Sequence, residues 1–97
     1  MASYEFSALA EEDALDIWCH IAADRPLAAD RMLSRIHQAA TRCAAFPGLG
    51  RRRLELSDDA RVLPVDSYLL IYHAVPTGII IDRILHAARD IDTEFSE

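Results

Sequence analysis

Three runs near the end of the chain decide the fold: Arg61-Val62-Leu63-Pro64-Val65, Tyr68-Leu69-Leu70-Ile71-Tyr72-His73-Ala74-Val75 and Ile79-Ile80-Ile81-Asp82-Arg83-Ile84-Leu85. Rich in β-branched, aromatic and aliphatic residues, they read as three consecutive strands. Pro76-Thr77-Gly78 is a tight turn, so the second and third runs are expected side by side and antiparallel. The second run is apolar at nearly every position, which predicts a central strand covered on both faces, by helices on one side and by a partner or the C-terminal tail on the other. Pro64 cannot donate to a ladder, so the first run belongs at an edge, a bulge or a non-bonding position. The last strand runs out into His86-Ala87-Ala88-Arg89-Asp90, where titratable side chains gather, and residues 87–95 are left as a short helix or an irregular tail.

Ahead of the sheet the period changes. Ala2-Ser3-Tyr4-Glu5-Phe6 alternates like a short strand, with Tyr4 and Phe6 on one face. Ser7 is a helix N-cap, followed by acids near the positive end of the dipole. From Ala8 to Ala23, the positions Ala10, Ala14, Ile17 and Ile21 make an apolar stripe, widened by Leu15, Trp18 and Ala22. Asp24-Arg25-Pro26 interrupts it, and a second helix over Leu27–Phe46 carries Met32, Ile36, Ala39, Cys43 and Phe46 inward. The short joint makes the two helices an antiparallel hairpin. Pro47-Gly48-Leu49-Gly50 stops the second helix. Leu54-Glu55-Leu56 then reads as a strand and Ser57-Asp58-Asp59-Ala60 as the turn that pairs it with Arg61–Val65. The expectation is a single α+β domain over residues 1–97. In it an N-terminal strand and an antiparallel helical hairpin pack on a mainly antiparallel sheet of four to five strands.

A chain of 97 residues with 52% apolar content and a mean hydropathy near zero reads as globular. Its apolar runs fall short of the roughly 18 residues of a membrane span, and the N-terminus has no leader pattern, so a cytoplasmic location is expected. Cys19 and Cys43 sit in apolar helical patterns and read as buried free thiols, and His20, His37, His73 and His86 are scattered, so neither a metal nor a cofactor is expected. The net charge of −6 argues against stable direct binding of nucleic acid. The mean hides an asymmetry. All ten basic residues are arginine, and Arg31, Arg35, Arg42, Arg51, Arg52 and Arg53 fall in a window without a single acid. That window carries +6 and the remainder −12, which suits docking to an acidic protein segment or to nucleic acid at one limited site, although a solvated helix face and loop is the simpler reading of the helix arginines.

Phe46-Pro47-Gly48-Leu49-Gly50-Arg51, Arg61-Val62-Leu63-Pro64-Val65, Tyr68-Leu69-Leu70-Ile71-Tyr72 and Arg83-Ile84-Leu85-His86-Ala87-Ala88-Arg89-Asp90 together resemble the ParE branch of the RelE/ParE toxin superfamily. Glu12-Asp13-Ala14-Leu15-Asp16-Ile17-Trp18 and Ala28-Ala29-Asp30-Arg31 are similar to that family's two helices. The resemblance covers nearly the whole chain. It implies a bacterial toxin of a type II toxin–antitoxin pair, of the kind linked to plasmid stabilisation. Such a toxin is held in a hetero-oligomer by a cognate, ParD-like antitoxin. It further implies DNA gyrase as the target in the ParE branch, and mRNA on the ribosome in the RelE branch.

Cleavage of RNA at a 2′-hydroxyl needs a base, positive groups for the pentavalent phosphate and an acid for the leaving oxygen. Arg61 and Arg83 could stabilise charge and His86 could move the proton. Against this, the chain has no lysine, Ala87 and Ala88 follow His86 where a catalytic tyrosine would serve, and the overall charge is wrong for ribosomal RNA. The sequence therefore favours a gyrase-binding inhibitor without an active site, with a RelE-like endoribonuclease or a non-toxic binding module of the same fold as alternatives. Partner contacts are expected from Arg31, Arg35, Arg42, Arg51, Arg52, Arg53 and Arg89, with antitoxin acids against the arginine window. The structural alternatives are an Arg61 paired with Asp82 or Asp90, a His86 that merely ends its strand, and Tyr68 and Tyr72 packed on one face with wet hydroxyls.

Overall fold

The structure, a computed structural model, describes residues 2–88. Seven elements follow in order: β1 (Ser3–Phe6), α1 (Ala8–Ala22), α2 (Pro26–Ala45), β2 (Arg51–Arg52), β3 (Arg61–Val65), β4 (Tyr68–Val75) and β5 (Gly78–His86). The strands form one open sheet in the order β1-β5-β4-β3-β2. Only β1 is parallel to its neighbour; the remaining pairs are antiparallel. The α1–α2 hairpin lies across one face, giving the expected α+β architecture.

Each helix boundary has a local cause. The Ser7 hydroxyl accepts from the Ala10 N–H at 3.0 Å and itself donates to the Asp82 carbonyl at 2.8 Å, so one side chain caps α1 and fastens it to β5. Pro26 begins α2 at a position that needs no N–H donor. Trp18 Nε1 donates to Asp30 Oδ1 at 2.9 Å, tying the two helices. Ala10, Ile17, Met32, Ile36, Ala39, Ala40, Cys43 and Ala44 meet Val65, Tyr68, Leu70, Tyr72, Ile79, Ile81 and Ile84 in the main core. Small alanines on α2 let the helix approach the sheet closely while the aliphatic side chains of β4 and β5 supply the bulk.

The opposite face of β4 is more thinly covered. Val62, Ile71 and Leu85 form a second small cluster, with Leu56 and Leu69 against it. The expected cover by residues 87–95 lies for the most part outside the described residues, as do Arg89 and Asp90. A register shift at Ile71/Tyr72 leaves Asp82 as an extra residue in β5, and His73 Nδ1 meets Asp82 Oδ2 there at 2.7 Å.

The strand expected at Leu54-Glu55-Leu56 is not one. The edge strand is β2, three residues earlier, with Arg51 opposite Val62 and Arg52 opposite Arg61. After a last ladder bond from the Arg53 N–H to the Ala60 carbonyl, the chain closes a tight turn, with the Leu56 N–H on the Arg53 carbonyl at 3.0 Å. The Leu-Glu-Leu alternation belongs to a loop: Leu54 points to water while Leu56 is drawn into the second cluster. No helix among the described residues is long and apolar enough to cross a membrane.

Candidate functional site

Arg83 is built into the scaffold. Its Nε donates to Asp13 Oδ2 at 2.8 Å and its Nη2 to Asp13 Oδ1 at 3.1 Å, a two-pronged pair between β5 and α1. The same carboxylate accepts the Ile84 N–H at 2.9 Å. The reason lies in the sheet: β1 ends at Phe6, so beyond Ile81 the edge of β5 has no strand beside it. Ser7 and then Asp13 take over as hydrogen-bond partners for that edge.

Arg61 serves a second clasp at the far end of the hairpin. Its Nη1 donates to the Gly50 carbonyl at 2.8 Å and reaches the Gly48 carbonyl at 3.5 Å. Of the expected acids, Asp82 is engaged with His73 instead, and Asp90 lies outside the described residues. Tyr72 completes the clasp, donating to the Pro47 carbonyl at 2.8 Å and accepting from the Gly50 N–H at 2.7 Å. Its hydroxyl is therefore buried and satisfied rather than wet. Burial pushes that hydroxyl up to about 12 and also raises the thiol of neighbouring Cys43. A Cβ on Gly50 would stand 2.7 Å from the Tyr72 oxygen, so the turn can close over the ring only with glycine there.

His86 lies elsewhere. It is opposite Tyr68 in the β4–β5 ladder, while Arg61 is opposite Tyr72 in the β3–β4 ladder. Four residues along β4 separate the two positions by roughly 13 Å, on strands flanking β4 on either side. Arg61 and His86 therefore do not converge on one phosphate-sized site, and Arg83 is committed to Asp13. His86 meets the Tyr68 ring edge-on with centroids 5.4 Å apart. It lines a cleft of about 460 Å³ with His20, Arg31, Arg35, Asp66 and Tyr68. Nothing local in the sequence signals that grouping, because it joins α1, α2, the β3–β4 turn and the end of β5.

The arginine window divides in two. Arg31, Arg35 and Arg42 step along one exposed flank of α2, the side that overhangs Pro64, Val65 and Asp66. Arg35 Nη1 donates to Asp66 Oδ2 at 2.5 Å, whereas Arg31 and Arg42 make no ion pair among the described residues. Arg51 and Arg52 lie on the β2 edge strand. Arg53 is spent locally on Glu55, both carboxylate oxygens lying within 3.1 Å of its Nε, and this contact lowers the Glu55 carboxyl below its usual range. Arg89 lies outside the described residues.

The other flank of the hairpin has the opposite character. Tyr4 and Phe6 of β1, Ala14, Leu15 and Trp18 of α1, and Leu33 and His37 of α2 line an apolar groove of about 900 Å³ whose charged members are Glu5 and Glu11. Tyr4 and His37 hydrogen-bond at 2.9 Å, and Phe6 lies against the same imidazole with centroids 5.3 Å apart. The sequence placed Leu15 and Trp18 on the buried face, yet Leu15 is 62% exposed. The helical stripe was broader than the sheet it covers, and the excess forms the groove.

Among solved structures, one described as a chromosomal ParDE TA system from P. aeruginosa is similar in fold. Its TM-score is 0.74 at 21% sequence identity, covering 89% of this chain and 96% of that one. No curated protein sequence matches the chain. The family model for the ParE toxin of the type II toxin–antitoxin system parDE matches residues 4–91. A match over that length, on a fold shared with a ParDE structure, means that the chain belongs to the ParE toxin family of type II toxin–antitoxin systems.

Proposed function

We propose that the chain acts as a toxin by binding DNA gyrase and blocking its cycle, without an active site of its own, and that a ParD-like antitoxin neutralises it. One observation supports the reading against a nuclease: Arg83 is held by Asp13, Arg61 is held by the Pro47–Gly50 turn, and Arg61 lies on the other side of β4 from His86 and four residues along it. A phosphate in flight would need those charges together and available. The flank bearing Arg31, Arg35 and Arg42, continued on the β2 edge by Arg51 and Arg52, offers partner acids an exposed electropositive surface. Purified protein added to a supercoiling assay and, separately, to translating ribosomes tests the proposal. Inhibition of gyrase alone, relieved by antitoxin, supports it. Inhibition of neither leaves a binding module of the same fold.

A second reading rests on the cleft around His86. There an imidazole, a phenol and two arginines lie at one rim, residue types that could serve proton transfer and phosphate binding. If the protein cut mRNA on the ribosome and both His86→Ala and Tyr68→Phe abolished cleavage, this cleft would replace gyrase binding as the basis of toxicity.

A further inference from the structure

The turn after α2 is held from beneath and carries its large apolar side chains outside. Tyr72 and Arg61 bond the Pro47, Gly48 and Gly50 carbonyls and the Gly50 N–H, and the Leu49 N–H donates to the Phe46 carbonyl at 2.9 Å. The helical stripe predicts Phe46 inward, but α2 ends at Ala45, and at φ −133° and ψ 80° the chain leaves the helical path. Phe46 is 70% exposed and Leu49 45%, and neither belongs to a core cluster. Leu9, Leu27 and Leu54 are exposed as well, and single apolar residues at a surface are ordinary. Phe46 and Leu49 differ in being joined by one hydrogen-bonded turn that a buried tyrosine holds in shape. Arg51 and Arg52 follow on β2, both exposed, and neither makes an ion pair among the described residues.

We propose that this turn is the surface by which the chain grips its target. Phe46 and Leu49 enter an apolar pocket on a folded protein, and acids at the rim of that pocket meet Arg51 and Arg52. An aromatic anchor beside arginines, on a backbone already fixed, concentrates binding energy because little freedom is left to lose. Charge selects the occupant. No acid falls between residues 31 and 53, and Glu55 beyond them is taken by Arg53, so the turn presents uncancelled positive charge to an acidic rim. A second copy of the chain, meeting turn to turn across a two-fold axis, would crowd four arginines together. A nucleic acid could use the arginines and stack on Phe46, but it offers Leu49 no pocket, and the net charge of −6 opposes it. The turn lines neither the β1 groove nor the His86 cleft. That the target is gyrase rests on the function proposed above.

The full chain carrying Phe46→Ser and Leu49→Ser together tests this, by titration against purified gyrase and by inhibition of supercoiling. Both positions face water, so the variant should keep the urea midpoint of the wild type. It should bind gyrase about thirtyfold more weakly or worse, and inhibit in proportion. Arg51→Glu with Arg52→Glu should weaken binding about tenfold and flatten its salt dependence. Tyr72→Phe leaves both apolar side chains in place but loosens the turn beneath them, and should cost about threefold. A serine variant that inhibits gyrase at the same concentration as the wild type would overturn this assignment while leaving the toxin reading intact. A wild type that neither binds nor inhibits gyrase would overturn the toxin reading and the assignment with it. Loss of binding to a labelled DNA duplex by the serine variant, with its gyrase binding unchanged, would make the turn a nucleic-acid contact and overturn the assignment too.

Discussion

Asp13–Arg83 and Asp66–Arg35 are the same two side chains joining the same two layers, yet they belong to different parts of the molecule's economy. The first pair is 13% and 24% exposed, closes two guanidinium bonds and adds a backbone N–H. The second is 47% and 59% exposed and makes one contact. Shielding from water strengthens each bond in the first pair and makes a missing partner costly, whereas solvent screens the second and readily substitutes for it. The first pair is thus scaffold, and the second is a latch that a partner's carboxylate can replace at little cost.

The sharpest attack on that contrast is Asp13→Ala, which removes the two-pronged partner of Arg83 and the acceptor of the Ile84 N–H together and should cost about 2–4 kcal/mol in urea unfolding. A loss under about 1 kcal/mol would make the two pairs equivalent and break the comparison. Tyr72→Phe comes next. It removes only an oxygen but leaves the Gly50 N–H and Pro47 carbonyl facing each other without it, at about 1–3 kcal/mol. The same residue gives a pH test. Its hydroxyl is raised from 10.0 to about 12 in the folded chain, so the fold favours the protonated form. That contribution is full below pH 10 and fades as pH climbs towards 12. Tyr72→Phe should flatten that part of the stability profile.

Arg35→Ala should change stability by under about 1 kcal/mol, and by less at high salt, while weakening antitoxin binding measurably by titration calorimetry. Unchanged affinity would leave the α2 flank as a solvated face. The mildest probe repeats the contrast with sulfur. Cys19, exposed and not buried as its helical pattern suggested, should react at once with a thiol reagent, and Cys43, buried with a raised thiol, only as the chain unfolds.

Elements with strong periodicity were legible in the sequence. The runs 61–65 and 68–75 became β3 and β4 unchanged, and α1 and α2 moved by one residue at their ends. Leu54-Glu55-Leu56 failed because three residues of alternation fit a loop with one anchored leucine as well as a strand. The candidate site was legible only in composition. The arginine window is visible as a charge run, but which members are spent depends on neighbours such as Glu55 and Asp66 that a turn delivers. Asp13 and Arg83 are 70 positions apart, and nothing local in either suggests the other. The β1 groove was hidden for a related reason: alternation marks a strand, but not that it will sit at an edge with one side unpaired.

Gly78 carries a consequence for the order in which the molecule can be made. A Cβ at this position would come within 1.8 Å of the Ser3 carbonyl oxygen, so the crossing of β1 and β5 admits glycine alone. This crossing joins the first of the seven elements to the last. Its loop closure costs chain entropy that local contacts cannot repay beforehand. During synthesis β1 therefore waits beside an unfinished hairpin until β5 exists. The groove that β1 walls, and any recognition that depends on it, comes into being only with the final strand.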